Sequence, residues 1–209
     1  MEKLREAILT GDAKAAHALT QEALAEGIEP MALINESMIP AMDEVGRLFE
    51  AEEYFVPELL LSARAMKAAM ELLRPLLAAT GARPAGKVVI GTVRGDLHDI
   101  GKNLVAVLLE GGGFEVIDLG ADVPPQKFIE VIQQSDANIV GLSALLTVTM
   151  PMMKTIIDAL AEAGLRDKVK VMVGGAPVTQ QFADRIGADG YGESAIAAVT
   201  LARRFVAAE

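Results

Sequence analysis

Residues 87–120 read "KVVIGTVRGDLHDIGKNLVAVLLEGGGFEVIDLG" and decide the fold. The stretch starts with a β-branched run, passes through a charged loop into a segment of helical periodicity, and ends with a second β-branched run. Two strands that are joined through a helix pair in parallel, because the crossover returns the chain to the same edge of the sheet. The stretch therefore predicts a βαβ unit.

The same alternation continues to the end of the chain. Strand-like runs occupy residues 87–93, 114–120, 137–143, 170–175 and 188–192. Helical segments are predicted near residues 99–111, 125–134, 150–163, 178–186 and 193–207. Repeated βα units of this length predict an α/β domain with a parallel, doubly wound sheet.

The first part of the chain has a different texture. Residues 1–78 are rich in Ala, Leu, Met and Glu at helical spacing, with Gly27, Pro30 and Pro57 as breaks or starts. This pattern predicts a bundle of about four helices. The stretch "AATGARPAG" (78–86) has the Gly and Pro of a linker, so we predict two domains, 1–84 and 85–209.

Composition excludes several classes of protein. The formal net charge is −10, which argues against nucleic acid as a partner, because that surface needs clustered Lys and Arg. The chain has no Cys, so disulfides, thiolate zinc sites and a cysteine nucleophile are excluded. No apolar run reaches the roughly 18 residues of a membrane span. We expect a soluble, cytoplasmic protein with no membrane partner.

Ligands of doubly wound sheets bind beyond the carboxyl ends of the strands. This rule selects the segments that follow the five predicted strands, which are residues 94–101, 120–125, 143–149, 174–178 and 191–194. The first of them, "RGDLHDIG", contains His98, one of two histidines in the chain. The rule thereby assigns His98 to a binding site.

Two other chemistries fit these residues poorly. A phosphate-binding Walker loop needs four residues between its glycines and a Ser or Thr after its Lys. Here five residues separate Gly95 from Gly101, and Asn103 follows Lys102. A metal-dependent His-Asp phosphohydrolase needs several ligands, but the other histidine, His17, lies in a helical pattern and is interpreted as a solvated or partly packed residue.

A metal that a macrocycle already holds needs just one or two protein ligands. Asp96 and His98 are two positions apart, so in an extended segment both side chains point to the same side. The carboxylate could then accept the ring N–H that does not face the metal, which fixes the tautomer. The alternative is that His98 caps the following helix, and the residues alone leave both interpretations open.

At this point the sequence resembles a known family. The Asp-x-His-x-x-Gly signature of cobalamin-binding domains, its Ser-x-Leu and its Gly-Gly pair occur in order and with the family's spacing, as Asp96, His98, Gly101, Ser143, Leu145, Gly174 and Gly175. The stretch "VGRLFEAEEYFVPELLLSARAMKAA" (45–69) is similar to the helical cap of cobalamin-dependent methionine synthase. The chain resembles the small corrinoid methyl-carrier proteins of methanogens and acetogens along nearly its whole length.

The resemblance implies a helical-bundle cobalamin cap (1–84) on a Rossmann-like, flavodoxin-type cobalamin-binding domain (85–209) with a five-stranded parallel sheet. A cobalamin or other cobamide would be the cofactor, carried as methylcobalamin and cycling among Co(I), Co(II) and Co(III). His98 would be the metal ligand, with Asp96 and Thr149 completing a catalytic proton relay. The residues alone allow Thr149 to be a helix N-cap instead.

The resemblance also assigns cofactor-binding residues. Above the corrin, cap residues Phe49, Val56 and Leu59 would face the methyl group, although helical spacing alone makes them ordinary core. Gly141 and the glycine pair would make room for the nucleotide tail, or would serve tight turns alone. The full implied cofactor-binding set is Phe49, Val56, Leu59, Gly95, Asp96, His98, Asp99, Ile100, Gly101, Ser143, Leu145, Thr147, Gly174, Gly175, Tyr191, Gly192 and Glu193.

The function implied is methyl transport in one-carbon metabolism. The chain would be inactive alone and would carry a methyl group from a substrate-specific methyltransferase to an acceptor-side methyltransferase that uses tetrahydrofolate or a thiol. A reductive activase is the third expected partner. The donor stays open among methanol, methylamines, betaines and aryl methyl ethers, and a cobalamin sensor or store is the alternative function. Residues 78–86 would be the hinge that lets the cap move aside.

Overall fold

The computed structural model describes residues 1–80 and 84–207. The predicted hinge includes residues 81–83, which lie outside the described residues. The chain forms two compact units. The first comprises Met1–Pro84 with Glu110–Gly113, and the second comprises Ala85–Leu109 and Phe114–Glu209. The roles predicted for 1–84 and 85–209 stay predictions.

The first unit is helical. Its elements are α1 (Glu2–Leu9), α2 (Ala13–Ala25), α3 (Pro30–Leu33), a π-helical turn (Ile34–Met38), α4 (Ile39–Glu50) and α5 (Val56–Thr80). Since α3, the π-turn and α4 follow one another without a gap, they form one continuous helical segment, and the described residues give the four-helix pattern that the spacing predicts. Pro30 is the first residue of α3, where its missing N–H costs no helical hydrogen bond. His17 lies partly buried on α2.

The second unit alternates strands and helices. Its elements are β1 (Lys87–Thr92), α6 (Ile100–Gly111), β2 (Glu115–Asp118), α7 (Pro125–Ser135), β3 (Ile139–Ser143), α8 (Pro151–Glu162), β4 (Lys170–Gly174), α9 (Gln180–Ile186), β5 (Gly190–Gly192) and α10 (Ala195–Ala207). All pairings are parallel, in the order β2-β1-β3-β4-β5. This is the flavodoxin-type order, so the predicted fold class is confirmed.

Neighbouring strands bring distant loops together. β1 lies between β2 and β3, and Thr92 at the end of β1 is opposite Ser143 at the end of β3. The order of strands reverses here, because the chain moves from β1 out to β2 and then returns to β3. The loops after β1 and β3 therefore meet at the switch point. No helix in the described part of the chain is both long and apolar enough to cross a membrane.

Candidate functional site

The β1–α6 loop presents His98 at the carboxyl edge of the sheet. Gly95 turns the chain with φ +85°, a conformation that glycine adopts without strain. The buried Thr92 hydroxyl donates to the carbonyl oxygen of His98 over 2.9 Å. The imidazole itself is 50% exposed, so the loop holds the backbone of His98 and leaves its ring accessible.

Asp96 lies beneath the imidazole and is fully buried. Its Oδ1 accepts hydrogen bonds from the backbone N–H of His98 over 3.1 Å and from the ring Nδ1 over 2.7 Å. A carboxylate can accept but cannot donate, so Nδ1 carries the ring proton and Nε2 of the neutral ring carries the lone pair. Among the described residues, Nε2 has no hydrogen-bond partner. His98 therefore offers one nitrogen to a ligand and does not cap α6, which begins at Ile100.

The other carboxylate oxygen of Asp96 reaches the β3–α8 loop. Oδ2 accepts from the backbone N–H groups of Leu145 and Leu146, over 2.8 and 3.2 Å, and from the Thr149 hydroxyl over 2.7 Å. Helix α8 starts at Pro151 with Met150 as its N-cap, so the N-cap interpretation of Thr149 is wrong. One buried carboxylate joins the two loops that meet at the switch point.

These contacts keep Asp96 ionised. Burial alone would raise the pKa of Asp96, but the hydrogen bonds from Thr149, His98 and Leu145 outweigh it and hold the pKa well below its usual range. The proton shared between Asp96 and His98 therefore resides on Nδ1 of the imidazole. A fixed negative charge under the ring also makes Nε2 a better donor to a metal.

Large apolar side chains surround the imidazole and are exposed. Three of them are exposed to 75% or more: Leu97 to 76%, Ile100 to 75% and Val148 to 80%. Leu145 and Leu146 are exposed to about 40%. Several large exposed apolar side chains on two adjoining loops are typical of a binding site, because a folded protein rarely leaves such a group in water without a function. We call these five residues the apolar rim.

A cavity of about 590 Å³ opens beside His98 within the second unit. It extends from the start of α6 across the ends of β3, β4 and β5. The predicted site residues that line it are His98, Asp99, Ile100, Gly101, Ser143, Leu145, Gly174, Gly175, Gly192 and Glu193. Gly141 lines it as well. The structure thus brings residues from all three parts of the sequence signature around one cavity.

At two of these positions, glycine is present for different physical reasons. Gly175 has φ +126°, and a Cβ there would lie 2.0 Å from the carbonyl oxygen of Ala144, so the backbone itself requires glycine. Gly101 lies in the first turn of α6, and an added Cβ would meet nothing within 4 Å. Glycine weakens a helix, and the fold gives no reason for it at this position. The space over Gly101 is therefore available to a ligand.

Other predicted residues lie outside the cavity lining. Tyr191 packs against the core of the second unit, because side chains alternate along β5 and its neighbours Gly190 and Gly192 occupy the opposite face. In this orientation Tyr191 does not line the cavity, and its role in cofactor binding stays a prediction. Thr147 is exposed on the β3–α8 loop, and Gly95 is engaged through its backbone. Asp96 and Thr149 lie beneath the imidazole rather than in the cavity.

The three cap residues differ in exposure. Val56 is exposed, Phe49 is partly buried and Leu59 is fully buried. Leu59 has no surface in this conformation with which to contact a cofactor, so its predicted role requires a rearrangement. The roles of Phe49 and Val56 stay predictions.

Sequence reasoning did not single out three polar residues near the site. The buried Lys102 on α6 donates to both carboxylate oxygens of Asp118, at the end of β2, over 2.6 and 2.5 Å. Asp122 in the β2–α7 loop accepts from the backbone N–H of Gly95 over 2.7 Å. A lysine within the apolar pattern of α6, and aspartates at the end of β2 and in the segment after it, were the available signals.

Comparison with protein families gives two matches. A family described as "B12 binding domain" matches residues 86–200, which include the imidazole loop and the cavity. A second B12 binding domain family matches residues 1–74, within the helical unit. Both halves of the chain thus match families named for the same cofactor.

Individual relatives match over nearly the full chain. Trimethylamine corrinoid protein 1 of Methanosarcina acetivorans is 46% identical over 96% of this chain and 94% of its own length. Dimethylamine corrinoid protein 1 of the same organism is 42% identical, with coverage of 99% and 97%. Among solved structures, the methanol:cobalamin methyltransferase complex MtaBC from Methanosarcina barkeri contains a chain with TM-score 0.87 and 33% identity. That match covers 99% of this chain and 79% of the other.

Proposed function

We propose a methyl-carrying function for this chain, which belongs to the corrinoid protein family and binds a cobalamin or related cobamide. In this proposal the chain receives a methyl group from a substrate-specific methyltransferase and delivers it to an acceptor-side methyltransferase. The observation that carries the proposal is the Asp96–His98 pair, which fixes Nδ1 and leaves Nε2 available in the middle of the apolar rim.

The described residues fit a corrinoid. A broad macrocycle with an apolar surface needs an apolar surface to bind to. The apolar rim supplies exposed apolar side chains on the loops around the His98 imidazole. The macrocycle also needs close approach to the backbone at the start of α6, where an added Cβ on Gly101 would fill open space. The cavity beside His98 gives room for a nucleotide tail displaced from the metal, with Gly141, Ser143 and Gly174 among its lining residues.

When bound, the corrinoid supplies a cobalt centre that can accept and give up a methyl group. His98 Nε2 would hold the metal, and Asp96 would orient the ring. Because the pKa of Asp96 is strongly lowered, the carboxylate stays ionised while Nδ1 keeps its proton. The ring would therefore present the Nε2 lone pair to the metal while Nδ1 stays hydrogen-bonded to Asp96.

Thr149 supports this arrangement from the other side. Its hydroxyl donates to Asp96 Oδ2 and so favours the charged carboxylate that orients His98. We propose that Thr149, Asp96 and His98 form the relay, in which the Thr149 hydroxyl supports the carboxylate and the carboxylate holds the Nδ1 proton of His98.

The partner assignment goes beyond the site. Relatives are named for trimethylamine and dimethylamine, and the similar solved structure is a methanol methyltransferase complex, so we propose a small methylated amine or alcohol as donor. For the acceptor side we propose a methyltransferase that uses tetrahydrofolate or a thiol, and for reactivation a reductive activase.

Single-turnover methyl transfer tests the proposal. The purified chain is loaded with cobalamin, methylated with an isotopically labelled methyl group, and mixed with an amine- or methanol-specific methyltransferase or an acceptor-side methyltransferase. We expect the label to leave the chain when an acceptor-side enzyme and its acceptor are both present. A loaded chain that keeps its label with tetrahydrofolate- and thiol-dependent enzymes alike would contradict the carrier function and favour storage or sensing.

A further inference from the structure

The β2–α7 loop contacts the loop that carries His98 through one exposed aspartate. We infer that Asp122 is a positioning residue that holds the His98 loop in the shape needed for ligation. The inference rests on the proposed role of His98 as axial ligand. Asp122 lies 24 positions after His98 and on a different loop, so its effect would be exerted through the backbone.

Asp122 makes two hydrogen bonds to consecutive residues of the β1–α6 loop, which carries His98. Its Oδ1 accepts from the backbone N–H of Gly95 over 2.7 Å. Its own backbone N–H donates to the carbonyl oxygen of Asp96 over 2.9 Å. The two bonds hold the segment Gly95–Asp96 from its outer side, while Thr92 holds the carbonyl of His98 at the far end. The loop is fixed on both sides of the buried carboxylate.

Neither the backbone conformation nor packing explains an aspartate at position 122. Asp122 has φ +56°, in the left-handed region that costs an ordinary residue roughly 1 kcal/mol and a glycine almost nothing. The residue is exposed, so packing of its side chain does not explain an aspartate here. A glycine at this position would have the easier backbone but no acceptor for the Gly95 N–H. The carboxylate therefore accounts for the choice of residue.

The segment that Asp122 holds would otherwise be free to move. Gly95 has φ +85° and no side chain, so its backbone can reach many conformations once the hydrogen bond is lost. Binding of an imidazole to a metal depends on the direction of the nitrogen lone pair. We expect loss of the Asp122 carboxylate to spread the orientations of His98 and to lower the fraction of cobalt with a histidine ligand.

The experiment compares Asp122→Ala, Asp122→Gly and Asp122→Asn with Asp136→Ala as the matched control. Asp136 is also an exposed aspartate with φ +53°, but it lies at the end of α7, and its side chain makes no hydrogen bond to any residue that the structure describes. Hydrogen exchange of the Gly95 amide is measured on the cofactor-free protein. Nitrogen hyperfine structure from labelled histidine is measured by electron paramagnetic resonance on the Co(II)-loaded protein.

Asp122→Ala and Asp122→Gly are expected to accelerate Gly95 exchange about tenfold, the size expected for one lost hydrogen bond, and to weaken the histidine signal. Asp122→Asn should resemble wild type, because its amide oxygen can accept the same bond and Asn tolerates positive φ. Asp136→Ala should change neither measurement. Thermal unfolding of each variant shows whether it is folded.

The inference would be overturned if both Asp122→Ala and Asp122→Gly kept the wild-type exchange rate of Gly95 and the wild-type histidine signal. It would also be overturned if Asp122→Asn behaved like Asp122→Ala, or if Asp136→Ala showed the same changes as the Asp122 variants. If the wild-type protein itself shows no histidine signal, the proposed axial ligand is wrong. The exchange data on the cofactor-free protein then still decide whether Asp122 holds the loop.

Discussion

The two ends of the cavity are built in opposite ways. At the His98 end, hydrogen bonds fix the position of the imidazole, and five of them converge on the Asp96 carboxylate. At the far end, at the carboxyl ends of β4 and β5, the backbone packs so closely that an added Cβ on Gly174, Gly175 or Gly192 would lie within 3.1 Å of another protein atom. Substitutions that remove hydrogen-bonding atoms should therefore have the larger effect at the His98 end. Substitutions that add a side chain should have the larger effect at the glycine end.

The largest effect is expected from His98→Ala, which removes the proposed ligand itself. The Co(II) form should lose all nitrogen hyperfine structure that depends on labelled histidine, because the other histidine lies in the helical unit. His17→Ala is the matched control and should leave the signal unchanged. If a histidine signal survives in His98→Ala, His17 is the ligand, because the chain has just two histidines.

At the glycine end, Gly175→Ala should impair folding. The added methyl would meet the Ala144 carbonyl oxygen at 2.0 Å while the backbone keeps φ +126°, so we expect a loss of about 2–4 kcal/mol in the free energy of unfolding. Urea denaturation of the cofactor-free protein measures it. Gly164→Ala is the control, because φ is also positive there but the added methyl meets open space, and about 1 kcal/mol is expected. Equal losses in the two variants would mean that the clash is relieved.

Asp96→Asn tests the hydrogen-bonded end. The amide NH₂ would have to face N–H donors from either His98 or the Leu145 and Leu146 backbone, so one set of contacts is lost. Affinity for the corrinoid or methyl-transfer rate should fall about 10- to 100-fold, as is usual for groups that orient metal ligands. Wild-type values for both would show that the carboxylate is dispensable.

The same variant gives a pH dependence with a definite sign. The pKa of Asp96 is lower in the folded protein than in the unfolded chain, so its ionised form stabilises the fold. This contribution is complete above the unfolded value of about 3.9 and decreases as the pH falls toward the folded pKa. Urea denaturation of the cofactor-free protein at pH 7 and pH 3 should show a larger loss for wild type than for Asp96→Asn. A similar loss in both would assign the acid sensitivity to other carboxylates.

Gly101→Ala should change the free energy of unfolding the least, and it should raise it, whereas the other glycine substitutions lower it. Alanine favours the helix at α6 by up to about 1 kcal/mol, and its methyl meets no protein atom, so the cofactor-free protein should become slightly more stable. Corrinoid affinity, measured by absorbance titration, should decrease because the methyl occupies the space over the helix. A variant that is more stable and binds equally well would show that the corrinoid does not use this space.

Much of the second unit follows from short-range patterns in the sequence. Five strand-like runs predicted five strands, and the strand-end rule assigned His98 to a binding site before any motif was considered. The strands are shorter than the runs, because strand-like sequence continues into the turns. Val93, for example, continues the first run but makes just an isolated bridge to Val123 beyond β1.

The contacts that hold the site follow from no local pattern. The N–H groups of Leu145 and Leu146 bind Asp96 as backbone donors, and any residue other than proline could supply them. Asp122 comes from a different loop, and its role depends on the strand order. The position of Tyr191, by contrast, could have been found from the alternation of side chains along Gly190–Gly192.

Thr149 has one hydroxyl hydrogen and two acceptors within reach, Asp96 Oδ2 at 2.7 Å and the Leu146 carbonyl oxygen at 2.8 Å. The hydroxyl is thus a two-position rotor. Directed at Asp96, it stabilises the negative charge; directed at Leu146, it withdraws that hydrogen bond from the carboxylate. The switch needs rotation about the C–O bond alone and no displacement of a heavy atom, so it can occur within nanoseconds. The stabilisation of the charge beneath His98 can then change faster than any loop or domain can move.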